Sequence, residues 1–204
     1  MRRGTRLLLA AATVALAACS LSRPPIERTS YLLAAGRDGA PAPAPKPVAV
    51  KIRPLRAEPL FERREFLYRL DGERVQSDFY SEFAERPDAM VTSALIAWLR
   101  SARLFANVVE PGLPADTPYW LDGTIVALYG DLRDRANPAA VIAIQFYLVR
   151  SGAGSQQVLL DRVLQQRVEV QAATAQAIAQ GYNEALVRIL TELERELAAL
   201  ELAG

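Results

Sequence analysis

Two residue types decide what chemistry this 204-residue chain can do: it has one cysteine, Cys19, and no histidine. Without an imidazole no Ser-His-Asp or Cys-His relay can be assembled, and zinc or non-haem iron loses its commonest ligand. Carboxylate chemistry survives, such as a glycosidase pair held about 5 to 9 Å apart. The acids, however, are spread along strand-like and helix-like segments among arginines, as solvated faces usually are, and no Gly-rich phosphate loop follows a strand candidate. The chain is therefore expected not to be an enzyme, with no catalytic residue, no metal site and no cofactor. What remains is the Cys19 thiol.

Leu16, Ala17 and Ala18 stand directly before Cys19, closing an apolar run that begins at Leu7 behind Arg2, Arg3 and Arg6. A basic start, an apolar stretch and small residues before a cut describe a secretory signal peptide. Leu7 to Ala18 is a dozen residues, whereas a spanning helix needs about twenty, which argues against a transmembrane anchor. Ala15-Leu16-Ala17 also fits ordinary secretion, which would release a protein with a spare thiol. The same residues resemble a bacterial lipobox, in which the thiol takes a thioether-linked diacylglycerol and the freed amine a further acyl chain such as palmitate. Lipidation is preferred because the one cysteine occupies the one position a lipobox requires. It also removes a thiol that an oxidising compartment would leave reactive, and no disulfide can form within the chain.

Residues 1–18 thus read as a lipoprotein signal peptide, 19–29 as a lipidated tether containing Pro24-Pro25, and 30–204 as one compact domain. Cleavage takes three arginines and no acid from a chain of 24 basic and 23 acidic residues, leaving a net charge of −2. A nucleic-acid partner is not expected, since a phosphate backbone calls for a basic patch or a pI above about 9.

The apolar pattern predicts the elements of that domain. Tyr31 to Ala35 is a short strand candidate, and Pro41 to Pro47 a proline-rich surface connection within the domain. Val48, Val50 and Ile52 alternate with polar positions, a half-buried strand ended by Pro54. Arg64 to Leu70 and Arg74 to Tyr80 read as a hairpin about Asp71-Gly72, with Phe66, Tyr68 and Leu70 on one face and Val75 and Phe79 in phase. A helix opens near Pro87, with Asp88 in its first turn and an apolar stripe through Met90, Leu95 and Trp98. A short strand at Phe105 to Val109 follows. Tyr119 to Tyr129, Ala140 to Val149 and Val158 to Val170 form an antiparallel meander, whose middle strand is apolar enough to be covered on both faces. A long helix, about Thr174 to Leu200, carries the stripe Ile178, Tyr182, Leu186, Ile189, Leu193 and Leu197, with i,i+4 pairs Glu184–Arg188 and Arg188–Glu192. Its acidic end either meets a partner or is simply solvated. The expected fold is α/β: a mixed, largely antiparallel sheet of about five to seven strands with two main helices packed on it.

Arg64-Glu65-Phe66-Leu67-Tyr68-Arg69, then Asp78-Phe79-Tyr80-Ser81-Glu82-Phe83, then Pro87, Met90, Trp98-Leu99 and Leu104-Phe105 resemble the ABC-type transport auxiliary lipoproteins. These are PqiC-like periplasmic lipoproteins of MCE (Mla-type) phospholipid transport systems. The likeness runs from the lipobox through the terminal helix and is closest between Arg64 and Val109. It implies an α/β fold and a non-enzymatic accessory subunit of the Gram-negative envelope, lipid-anchored and contacting the MCE subunit in the periplasm. Ser20, rather than aspartate, after the acylated cysteine favours the inner leaflet of the outer membrane. A homo-oligomer is compatible with a ring-forming partner.

For the partner surface the expectation is the hairpin and its exit: Arg64, Tyr68, Arg69, Tyr80 and Phe83, since tyrosine and arginine combine apolar bodies with hydrogen-bonding ends. Set against this, Phe66, Tyr68 and Phe79 are expected to fill the core where they face inward. Two other functions compete: an envelope lipoprotein that regulates cell-wall synthesis or outer-membrane assembly, and a periplasmic lipid carrier. No element reads as a lid over an apolar cavity, which counts against the carrier.

Overall fold

The computed structural model describes residues 27–115, 117–152 and 154–202; the expected signal peptide, the expected lipobox Leu16-Ala17-Ala18 and Cys19 lie outside them. Nine strands form one sheet: β1 (Thr29–Tyr31), β2 (Lys46–Ile52), β3 (Arg56–Ala57), β4 (Glu65–Asp71), β5 (Arg74–Phe83), β6 (Phe105–Val109), β7 (Tyr119–Asp131), β8 (Ala139–Gly152) and β9 (Ser155–Glu169). Two helices, α1 (Pro87–Ala102) and α2 (Ala175–Ala199), cover one face.

The sheet is organised about β7. One edge of β7 runs antiparallel along β8, which in turn pairs with β9. Its other edge is shared in succession by β2, β3 and β4, all parallel to it: Val50 lies opposite Tyr119, Arg56 opposite Thr124 and Tyr68 opposite Gly130. Residues 46–71 therefore act as one long strand interrupted at Pro54 and at the loop 58–64. β6 lies outside β2; β5 and then β1 lie outside β4. The strand count exceeds the expected five to seven because β1 and β3, of three and two residues, are too short to leave a periodic trace.

Most elements fall where the periodicity puts them, and the departures have local causes. Only Tyr31 of the expected strand Tyr31–Ala35 is extended in the sheet; residues 32–45 instead cross the helical layer as a strap. Ala34 N–H donates to Asn183 Oδ1 at 3.0 Å, and Ala42 N–H to the Ala102 carbonyl at 2.8 Å. Pro47 enters β2, where the register slips between Lys46 and Ala49, so the missing N–H falls at an irregularity in the ladder. The hairpin turns at Gly72-Glu73, one residue later than read, with Gly72 at φ +42°. Arg195, not Arg188, pairs with Glu192, while Glu184–Arg188 forms at 2.6 Å. Among the described elements only α2 packs broadly on β8 from outside the sheet; on the opposite face Val141 and Ala143 are buried among the side chains of neighbouring strands.

The helices open and close on recognisable caps. Pro87 begins α1 with Asp88 in its first turn, and the Thr174 hydroxyl accepts from Ala177 N–H at the start of α2. Within α1, Thr92 takes up the Leu55 N–H at 2.9 Å just after the break at Pro54, and its own hydroxyl donates to the Asp88 carbonyl at 2.7 Å. At the far end of α2, Lys46 Nζ donates to the carbonyls of Ala198 and Leu200, satisfying acceptors that a helix end leaves open.

A three-way polar tie joins the strap to both helices. Arg37, with 8% of its side chain exposed, makes a two-pronged contact with Glu194 of α2 at 2.8 Å per bond. Trp98 Nε1 of α1 donates to the same carboxylate at 2.8 Å. The Arg37 hydrogen bond, aided by Trp98 and opposed by partial burial, holds the Glu194 pKa below the ordinary glutamate value.

Two predictions follow from this packing. A Cβ on Gly181 would lie 2.7 Å from Val170 Cγ1 and 2.8 Å from Ala140 Cβ, so Gly181 sets how closely α2 approaches the sheet. Gly181→Ala, despite its better helix propensity, should lower stability by about 1–3 kcal/mol in chemical denaturation, because Ala140 has no rotamer to yield. The depressed pKa of Glu194 adds stability that is complete above the ordinary value near 4.3 and drains as pH falls through the folded value. Glu194→Gln should cost about 1–3 kcal/mol at pH 7 by leaving charged and indole donors poorly matched. It should also flatten the acid limb of a stability-against-pH curve within that window, between the ordinary glutamate pKa and the lower folded value.

Candidate functional site

The five residues proposed for a partner surface, Arg64 just before β4 and the others from β4 and β5, do not converge on one patch. Arg64 is on the surface: Nε donates to the Phe83 carbonyl at 2.9 Å and the guanidinium meets Glu82 at 2.8 Å. Arg69 faces the sheet side away from the helices, its guanidinium 5.3 Å over the Tyr129 ring. Phe83 is a core residue, its ring 4.5 Å from Phe66 and 5.6 Å from Tyr182. Tyr68 is half-buried. Tyr80 is 60% exposed.

What organises this corner is a carboxylate that sequence reading passed over, Asp78. Between Glu65 opposite Glu82 and Leu67 opposite Ser77, the single residue Phe66 in β4 faces four residues in β5, so 78–81 must bulge. Asp78 Oδ1 accepts the N–H groups of Tyr80 and Ser81, at 2.8 and 3.1 Å, closing the bulge on itself. Its Oδ2 accepts the Tyr68 hydroxyl at 2.9 Å. Burial, and then the bond to Asp78, push the Tyr68 phenol well above its ordinary pKa, so it stays a donor at any physiological pH. The Tyr68 ring is itself pinned, because a Cβ on Gly130 would reach within 2.7 Å of its Cδ1.

The bulge breaks the alternation of β5, and this overturns the expectation that Phe79 packs inward. Phe79 is 54% exposed beside Tyr80, the two rings edge to face at 5.6 Å. Arg28 lies 5.0 Å above the Phe79 ring and also reaches Glu82 at 3.5 Å, so Glu82 is shared by Arg28 and Arg64. The adjacent run Asp78-Phe79-Tyr80-Ser81 could have signalled this, since an Asx residue before two aromatics is turn chemistry inside a strand. Opposite the helices, the sheet carries a second set of arginine–aromatic contacts, with Arg53 at 4.3 Å over Trp120 and paired with Asp122.

Among the described residues no three histidine, cysteine or carboxylate side chains gather as a metal site would require. The carboxylates with resolved pKa shifts, Asp131, Asp134 and Glu194, are all moved down, Asp131 by hydrogen bonding to Arg133 and Asp134 by Asn137. A general acid working near neutral pH needs the reverse. No described helix is long and apolar enough to cross a membrane.

Comparison with known proteins bears on this arrangement. Residues 31–194 match the sequence profile of a family described as the ABC-type transport auxiliary lipoprotein component. No curated protein sequence matches the chain significantly. Among solved structures, protein XCC0632 from Xanthomonas campestris, of family DUF330, superposes with a TM-score of 0.71 at 18% identity, over 81% of this chain and 92% of its own. The hypothetical protein CT253 from Chlamydia trachomatis gives a TM-score of 0.50 at 8% identity, over 76% and 99%. At these identities the likeness is one of fold.

Asp78→Ala tests whether the carboxylate builds the corner. It leaves the Tyr68 hydroxyl and two N–H groups without their acceptor, and should lower stability by about 1–3 kcal/mol. Amide exchange should accelerate at Tyr80 and Ser81 while the β7–β8 ladder stays protected.

Proposed function

Because the chain belongs to the family of ABC-type transport auxiliary lipoproteins, we propose that it is a non-enzymatic accessory subunit of an envelope lipid transporter. Its anchor is an acylated Cys19 and its periplasmic partner is the MCE subunit of that system. The observation that carries this reading is the family match over residues 31–194 standing directly behind a lipobox whose cysteine is unique in the chain. The downward carboxylate shifts and the full consumption of the helix stripes in packing support a binding scaffold rather than a catalyst.

Acylation does the mechanical part. A diacylglycerol thioether plus an amide-linked chain exceeds the two signals needed for stable anchoring, so exchange between membranes is negligible. Ser20 after the cysteine directs the protein to the inner leaflet of the outer membrane. The domain then holds the periplasmic end of the transporter near that membrane, through protein–protein contact. The arginine–aromatic face at Arg53, Arg69, Trp120 and Tyr129 has the composition of interface anchors.

Regulation of cell-wall synthesis or outer-membrane assembly would use the same anchored domain; association with an MCE subunit separates the two. A lipid carrier would need an enclosed apolar chamber. The groove beside α1 lined by Leu32, Met90 and Ala94, near 520 Å³, is instead open to solvent.

Cys19→Ala is the direct test. Intact mass should show diacylglycerol and an acyl chain on the wild-type protein. The variant should appear as a soluble periplasmic domain with unchanged Tm and unchanged affinity for the isolated MCE subunit, while envelope function falls. A wild-type protein without lipid on Cys19, or an acylated one that fails to bind the MCE subunit, would overturn the reading.

A further inference from the structure

Phe79 and Tyr80 are exposed by construction. At 54% and 60% exposure, they are held out by three hydrogen bonds to Asp78 and by a half-buried Tyr68. Two adjacent aromatic rings left in water forgo the burial that would stabilise them, and such a patch marks a surface awaiting a cover. The position of the pair narrows what the cover is. Arg28 stacks on Phe79, and Thr29 pairs with Ser81, so the chain arriving from Cys19 enters the domain against these two rings. Nine residues lead from Cys19 to Arg28, a span of at most about 32 Å even if fully extended.

The geometry points to an interfacial membrane contact, in which Phe79 and Tyr80 enter the headgroup region of the bilayer that holds the anchor, with the Arg28 guanidinium beside the lipid phosphates. This inference rests on acylation of Cys19. With the lipid in place, the short span keeps the pair at high effective concentration over that bilayer, a condition no freely diffusing protein meets. Tyr80, with an apolar ring and a polar hydroxyl, favours the membrane interface, Phe79 adds apolar surface beside it, and a guanidinium matches phosphate oxygens. The anchor already secures retention; the aromatic pair adds orientation. It turns the β1–β5 corner toward the membrane and leaves β9, at the far side of the sheet, directed into the periplasm.

Tyr80→Trp in the acylated protein provides the measurement, since the two natural tryptophans are only 4% and 9% exposed and give a steady background. The protein is reconstituted into vesicles of phosphatidylethanolamine and phosphatidylglycerol, with and without acyl-chain-brominated lipid, and circular dichroism confirms its fold. The expected result is added emission shifted to the blue and quenched at least twofold by the brominated lipid. Water-like, unquenched emission from protein that floats with the vesicles would overturn this inference alone. So would a blue shift that appears only when the MCE subunit is added, since the pair would then be a protein-docking site. Intact mass is read on the same sample, and absence of lipid on Cys19 would sink this inference together with the anchoring it rests on.

Discussion

A thirteen-residue strand paired on both edges needs partners for every N–H and C=O it presents, and β7 sets that demand for the whole domain. On one side β8 meets it alone, in a continuous antiparallel ladder with one irregularity near Val126. On the other side no single strand does. The demand is divided among β2, β3 and β4, three pieces of one chain segment laid end to end. Each break in that segment is then mended locally: the Glu58 N–H reaches the Ile125 carbonyl at 3.0 Å, the Arg53 N–H the Leu121 carbonyl at 2.9 Å, and Thr92 receives the Leu55 N–H. Helix α1 is thereby fastened to the sheet at the place where the sheet would otherwise be weakest.

Over this frame the apolar core and a few arginines divide the work. Phe66, Phe83, Tyr31 and Tyr182 pack ring against ring where β1, β4, β5 and α2 meet, and the buried Tyr182 hydroxyl has no hydrogen-bond partner among the described residues. The aromatic surface has been favoured at the expense of that polar atom. Arginine, whose planar fork can satisfy a carboxylate and backbone carbonyls together, serves where segments distant in sequence must be joined. Arg37 bonds Glu194 and the carbonyls of Gly39 and Ala40 at once, which fixes the strap's conformation and its place on α2 in one contact.

The two helices, the hairpin and the meander were legible because each leaves a periodic trace within a dozen or so residues: Met90, Leu95 and Trp98 on α1, Ile178 to Leu197 on α2, Val48 to Ile52 on β2. Parallel pairing leaves none. That Val50 lies beside Tyr119 and Tyr68 beside Gly130 depends on contacts more than sixty residues apart, and the pattern of either segment alone is silent about it. The corner at Asp78 escaped for a different reason. A bulge interrupts the alternation, so period-two reasoning cannot be carried past Ser77 to Phe79, and even before it Val75, read in phase with Phe79, lies opposite Arg69 and is exposed. Gly181 and Gly130 were silent too, since what matters at each is the space taken by a neighbour. Cys19 lies outside the described residues, and its reading rests on local sequence order alone.

The strap that leads from β1 to β2 has a mechanical consequence. Any tension on the residues before Glu27 enters the domain at β1, which is held to β5 by a parallel run of three residues. Were that run to yield, the pull would pass to the strap and meet, in order, the Ala34–Asn183 bond, the Arg37–Glu194 clasp, the Ala42–Ala102 bond at the end of α1 and the Lys46 contacts at the end of α2. These strap contacts are separate from the β7–β8–β9 ladder, so their loss would leave that ladder's pairing in place.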